Sequence, residues 1–183
     1  MPKNIIRNLQ IGIILSLVLL IASSVASYVS IHKQMENRKS FLQSKESISF
    51  VKDVLNALLD AETGNRGYQL THQESFLEPF NVSKSKYLAL VSKAGELSIS
   101  DKHQADILQN LLHTSDAMMK DGVVLIEKSR NGNLITSQEL LQSKVGMDSC
   151  RSLVQEFVKY EEVHLAAKDR DLNRSSMWSV LFI

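Results

Sequence analysis

The sequence predicts an all-α protein: an up-down four-helix bundle flanked by an N-terminal transmembrane helix and the start of a second one. Three observations carry this expectation. Residues 8–31 hold no charged side chain. Between residues 33 and 174, apolar side chains recur three and four apart in long runs, the period of one helix face. Two prolines, seven glycines and 6% aromatic residues in 183 are too few for a sandwich or barrel, which needs frequent turns and strands rich in aromatic or β-branched residues.

The N-terminal element comes first. As a helix, residues 8–31 would be about 36 Å long, enough for a hydrocarbon core of about 30 Å. Two readings compete. Lys3 and Arg7, an apolar run and the small pair Ser24 and Ala26 suit a cleaved secretory leader. The run is longer than the usual leader, however, and continues through Tyr28 and Ile31, which suits an uncleaved anchor. A second uncharged stretch at 175–183, SSMWSVLFI, favours the anchor, because it begins another span. Nine residues cannot cross a bilayer, so either they only touch the membrane or, the favoured expectation, the chain is cut from a longer protein. Lys3 and Arg7 place the N-terminus in the cytoplasm by the positive-inside rule. Residues 33–174 then lie outside the cytoplasm, although Lys33, Arg38 and Lys39 on the other flank blunt the asymmetry. Three domains follow: a span at 8–31, an outer bundle at 33–174 and a truncated span at 175–183.

The outer segment reads as four helices. The first, 33–71, carries Phe41, Ile48, Val51, Leu55 and Leu58, with Lys45, Lys52, Asn56 and Asp60 as its polar face. A break at 71–75 follows. Ser75 with Glu78 has the spacing of a capping box, and Pro79 falls in the first turn, where its missing N–H costs little. The second helix carries Leu77, Phe80, Tyr87, Leu88, Val91 and Ala94. Ser100 or Asp101 is the expected N-cap of the third, which holds Ala105, Leu108, Leu111, Leu112, Met118, Met119, Val123 and Ile126. Asn131-Gly132-Asn133 is a left-handed stop. Thr136 with Glu139 makes another capping box, and the fourth helix carries Leu140, Leu141, Met147, Leu153, Val154, Phe157, Leu165 and Leu172. Short connections make neighbours antiparallel, so the long first and fourth helices are expected to meet the membrane on one side.

The outer segment bears 19 basic and 20 acidic residues. Near-zero net charge supplies no field for nucleic acid, which is excluded as a partner. No Cys-x-x-Cys-His, His-x-x-x-His, phosphate-binding glycine loop or nucleophile elbow occurs. No cofactor, metal or catalytic residue is therefore expected, and the segment is read as no enzyme. His103 with Asp106 shares a helix face, a spacing too sparse for a metal. Cys150 stands alone and reads as a small packing residue.

One stretch is dense in unusual residues: DAETGNRGYQLTHQESFLEPF, 60–80. Glu62 and Arg66 are four apart and can pair. The apolar stripe from Ile48 through Leu55 carries Glu62 toward the interior, where a carboxylate needs a partner. Gly64 and Gly67 within a helix cost up to about 1 kcal/mol each relative to Ala, which implies a backbone held close to a neighbour. Tyr68 can bury its ring and keep a polar tip. Asp60, Glu62, Arg66 and Tyr68 are thus candidates for a ligand pocket; the favoured reading is a polar clasp that fixes the register of the first two helices, because ion-pair networks also serve structure.

The string Asp60-x-Glu62-Thr63-x-x-Arg66-Gly67-Tyr68-x-x-Thr71, followed by Phe76-Leu77-Glu78-Pro79-Phe80, resembles the third type of CHASE domain, the cyclase/histidine-kinase-associated sensory extracellular domain. Two positions depart from the family pattern: Gln69 stands where the family is usually apolar, and His72 where it often has glycine. The resemblance implies a helical extracytoplasmic sensor between two membrane helices of a bacterial inner-membrane receptor. It also implies a homodimer and a histidine kinase, cyclase or chemoreceptor output that this chain does not contain. It names no ligand and lends no binding residue. A secreted or periplasmic helical binding or chaperone-like protein with a cleaved leader is the alternative.

Overall fold

A computed structural model describes the backbone of residues 3–99 and 101–180, and the side chains of 5–99, 101–167 and 170. Four helices, α1 (Lys3–Thr71), α2 (Leu77–Lys93), α3 (Lys102–Arg130) and α4 (Ser137–Val180), follow in order, with 3-10 turns at Glu74–Phe76 and Ala94–Glu96. No strand occurs among the described residues. The expected span at 8–31 and the expected first bundle helix are one element, α1. The chain divides into two units, residues 1–42 with 167–183, and residues 43–166.

In the first unit, the apolar stretch of α1 is bare. Its best 18-residue window has a mean hydropathy of 2.4 with nothing buried, and it is the one helix among the described residues long and apolar enough to cross a membrane. The uncharged stretch at 175–183 and Leu172 lie outside the described side chains.

The second unit is the up-down bundle. On α1 the centre of the buried face runs Ser47, Val51, Val54, Leu58, Ala61, Asn65 and Tyr68, alternating four and three apart, with Ser44, Phe50, Ala57 and Gly64 buried beside it. On α4 the buried positions are Met147, Cys150, Val154, Phe157 and Glu161, in the same alternation. That 3.5-residue repeat keeps one seam facing the neighbours, as in left-handed helical packing. On α3 the seam runs Gln104, Leu108, Leu111, Ser115, Met119, Gly122, Ile126 and Ser129, with two steps of four in a row around Ser115. Such an inserted step locally unwinds the repeat. The fully enclosed Ser115 hydroxyl there lies 3.9 Å from the equally enclosed Cys150 thiol. Burial pushes that thiol up from its ordinary pKa. Cys150 packs as the small residue the sequence predicts.

Several stripe residues turn outward. Phe41, Leu88, Leu140 and Leu141 are exposed, as are Ala105 and the borderline Val91. A three-and-four spacing fixes the period of a stripe but tolerates a rotation of the helix that moves an edge residue out. The seam of α1 is less apolar than its stripe predicts, since Ser44, Ser47 and Asn65 belong to it.

Helix ends follow local chemistry at three places and depart from it at one. Asp101 caps α3, accepting from the Gln104 N–H at 3.1 Å. At the end of α3, Gly132 has φ of 70°. Its N–H reaches Ser129 O and the Asn133 N–H reaches Lys128 O, each at 3.0 Å, the pairing of a Schellman stop. At the start of α4, Glu139 Oε2 accepts from the Thr136 N–H and hydroxyl at 2.8 Å each, and the Glu139 N–H donates to Thr136 Oγ1 at 3.3 Å. The Ser75–Glu78 box does not form. Phe76, the residue before α2, is already helical (φ −74°, ψ −14°) and makes no side-chain cap, because the 3-10 turn runs straight into the helix. A cap needs an extended residue, and that geometry falls at Gln73 instead (φ −91°, ψ 120°).

α1 ends on His72, which has φ of 58° and donates its N–H to Tyr68 O at 2.7 Å. A left-handed residue with a Cβ costs about 1–2 kcal/mol, which gives the family's glycine at this place its physical reason. Replacing His72 by Gly and by Ala separates the backbone term from loss of the ring. The Gly variant is expected to exceed the Ala variant by about 1 kcal/mol in urea unfolding of the full chain in detergent micelles; equal stabilities would refute the strain.

Glu139 also carries a pH dependence. The Lys128 ammonium, 2.7 Å from both carboxylate oxygens, and then the Thr136 bonds push its pKa down from 4.5 to about 2. A depressed carboxylate stabilises the fold above its unfolded value and loses that effect as pH falls through the folded one. The window is therefore pH 4.5 down to about 2. Carboxyl-detected NMR is expected to place the Glu139 midpoint near 2, and Lys128→Met to move it back toward 4.5.

Candidate functional site

The 60–80 motif folds back on itself. A Cβ on Gly64 would stand 2.9 Å from both Phe76 O and Phe80 N. At Gly67 it would enter the Phe76 ring, and at Gly122 on α3 it would lie 3.0 Å from Phe80 Cε2. Phe80, 4% exposed, is thus gripped between glycines of α1 and α3. The glycine half of the motif exists to receive its phenylalanine half. The close approach predicted for Gly64 and Gly67 is present, and its partner is the entry of α2. Gly146 on α4 makes a fourth such place, where a Cβ would overlap Met118.

Polar groups fill the seam beside Phe80. The Asn65 amide, 6% exposed, donates to Gly122 O at 3.3 Å and accepts from Gln69 Nε2 at 2.7 Å. Gln69, the departure from an apolar family position, serves as partner to a buried amide, which would otherwise be costly to leave unsatisfied. Neither residue was among the expected site residues. Extending the four-three count from Val51 through Ala61 reaches position 65 and would have placed Asn65 inside.

Of the expected residues, the structure joins two. Arg66 Nη2 lies 2.6 Å from Glu62 Oε1, with Glu62 only 12% exposed and Arg66 56%. Both line a cavity of about 30 Å3 with Asn65, Gln69, Met118 and Ser143. That volume admits one or two waters, well below the 300–1,000 Å3 of a small-molecule site. Tyr68 is buried elsewhere, with the Arg130 guanidinium 5.8 Å over its ring. Arg130 in turn clasps Glu74, Nη2 lying 3.0 and 2.9 Å from its two oxygens, which ties the α1–α2 turn to the end of α3. Asp60 is exposed on the far face of α1.

His103 and Asp106 do not act together: Asp106 pairs with Lys102 at 2.8 Å, and His103 faces Glu156 at 3.7 Å and the Tyr160 ring. Glu161 and His164 have a Glu-x-x-His spacing on α4, but Glu161 is buried and bonded to the Gln104 amide, while His164 is exposed against Tyr160. Among the described residues no group of three His, Cys, Asp or Glu could hold a metal ion.

A family model, the CHASE3 domain, matches residues 37–171. CHASE3 is an extracellular sensory domain of signalling receptors, of a type found in bacteria. No curated protein and no solved structure matches the chain.

The glycine contact sets an expected outcome. Gly64→Ala is expected to cost about 2 kcal/mol, in the range of overpacking a filled interior. Gly95→Ala, where a Cβ meets nothing within 4 Å, is expected to stay within about 0.5 kcal/mol. Urea unfolding of both variants measures the difference, and equal effects would show that the α1–α2 approach does not constrain position 64.

Proposed function

The chain belongs to the CHASE3 family, and on that premise we propose that it is the input portion of a bacterial inner-membrane receptor, with the N-terminus in the cytoplasm and residues 33–174 outside it. One observation carries the reading: the family match begins at residue 37, on the same helix that holds the apolar stretch. The apolar stretch and the start of the family match therefore share one helix, α1. A packed helical bundle responds to a signal by discrete shifts between packings, and α1 and α4 are the helices that extend beyond it in sequence. The receptor works as a homodimer through these two helices and drives a histidine kinase, cyclase or chemoreceptor module further along the protein. The bundle performs no chemistry of its own. Its input is an extracytoplasmic ligand or partner.

Topology tests this directly. Leu134, 90% exposed in the α3–α4 connection, is changed to Cys in a Cys150→Ser background. A membrane-impermeant maleimide is expected to label it in intact spheroplasts, and labelling only after permeabilisation would sink the reading. Intact mass of the same sample separates anchor from leader: the full chain is expected, whereas loss of about 26 residues would identify cleavage at the Ser24–Ala26 pair.

A further inference from the structure

The cavity beside Glu62 holds about 30 Å3, but a groove between α2 and α3 holds about 430 Å3, within the range of small-molecule sites. Its apolar wall is made by Tyr87, Leu88, Met119, Val123 and Val124. Leu88 and Val124 are 57% and 58% exposed, apolar side chains left on the surface where the helix stripes alone would bury Leu88. The charged residues of the groove are Lys84, Lys120 and Asp116. Lys120 is already paired with Asp116 at 2.6 Å. Lys84 is then the uncompensated charge of the groove among the described residues. Tyr87 adds no negative charge: its hydroxyl donates to Leu112 O at 3.3 Å, and burial above all, with Asp116, pushes its pKa up to about 12.

We propose that this groove binds a small organic monocarboxylate, the apolar body lying on Leu88, Met119, Val123 and Val124 and the carboxylate meeting Lys84. Charge selects the class. Two ammonium groups against one carboxylate favour an anion, and a cation would meet Lys84 with no carboxylate left to receive it. Area argues against a second copy of the chain as occupant, since a stable dimer buries about 800 Å2 per partner and two exposed apolar side chains supply a small part of that. The site spans α2 and α3 at the level of Met119, a seam residue beside the inserted step at Ser115. A ligand wedged there bears on the place where the bundle's repeat is irregular. What binding does rests on the sensory reading above; whether it occurs rests on the groove alone.

The test uses the full chain in lipid nanodiscs with labelled Leu, Val and Met methyls, titrated with phenylacetate. Saturable shifts confined to Leu88, Met119, Val123 and Val124 are expected, with a Kd on the order of 1 mM for a ligand of this size. Lys84→Gln is expected to weaken binding about fivefold, and Val124→Glu to abolish it while leaving the remaining methyl spectrum unchanged. Phenethylamine, the same body with a positive charge, is expected not to bind. No saturable shift up to about 20 mM, or equal binding of phenethylamine, would overturn the proposal. So would groove methyls that move with protein concentration instead of ligand, because a second copy would then be the occupant. The maleimide result at position 134 reads topology independently, so a failed titration with correct labelling removes the carboxylate site and leaves the receptor standing.

Discussion

Two missing β-carbons hold this bundle in its arrangement. At Gly64, α1 comes close enough to the first turn of α2 that an added methyl carbon would touch backbone atoms, Phe76 O and Phe80 N, at 2.9 Å. Backbone cannot swing aside as a side chain can. The register of α2 on α1 is therefore set by sterics, and Phe80 is delivered at one height, where Gly122 of α3 leaves room for its ring. Three helices are locked together by a single phenylalanine. The cost of glycine within a helix, up to about 1 kcal/mol each, is offset by the ring it admits.

The same contact explains the turn between α1 and α2. Phe76 must fold over Gly67, so the chain passes from the left-handed His72 through one extended residue into a 3-10 turn that becomes α2 without a separate cap. Glu74, on that turn, is held by Arg130 from the end of α3, and Arg130 also covers the buried Tyr68 ring. The motif is thus a closure device for one end of the bundle. Its polar members pair with one another, Asn65 with Gln69 and Glu62 with Arg66.

Away from that end the seam is set by different contacts. The α3 repeat carries its inserted step at Ser115, opposite Cys150, where small side chains meet. Across the seam, Gln104 and Glu161 form a buried polar pair between α3 and α4. Buried polar pairs of this kind tolerate fewer alternative registers than interchangeable aliphatic contacts do, since a slip would leave each group without its partner.

The sequence by itself determined the fold class, the helix ends written in local code and the position of the apolar span. Each of these depends on residues near one another in the chain. The Asp101 cap, the Gly132 stop and the Thr136–Glu139 box could all be read because their partners lie within a few residues. Periodicity marked the existence of each seam, and the 60–80 string marked the family. Only the tertiary structure decided how each helix is rotated. Leu88 and Leu141 are therefore exposed and Glu161 is buried, since a stripe fixes a period but neighbours choose its phase. The pairing of Gly64 with Phe80, and the separation of Tyr68 from Glu62, also lay beyond reading, because they join residues brought together by chain reversal, and no local spacing records where a turn will set the next helix down.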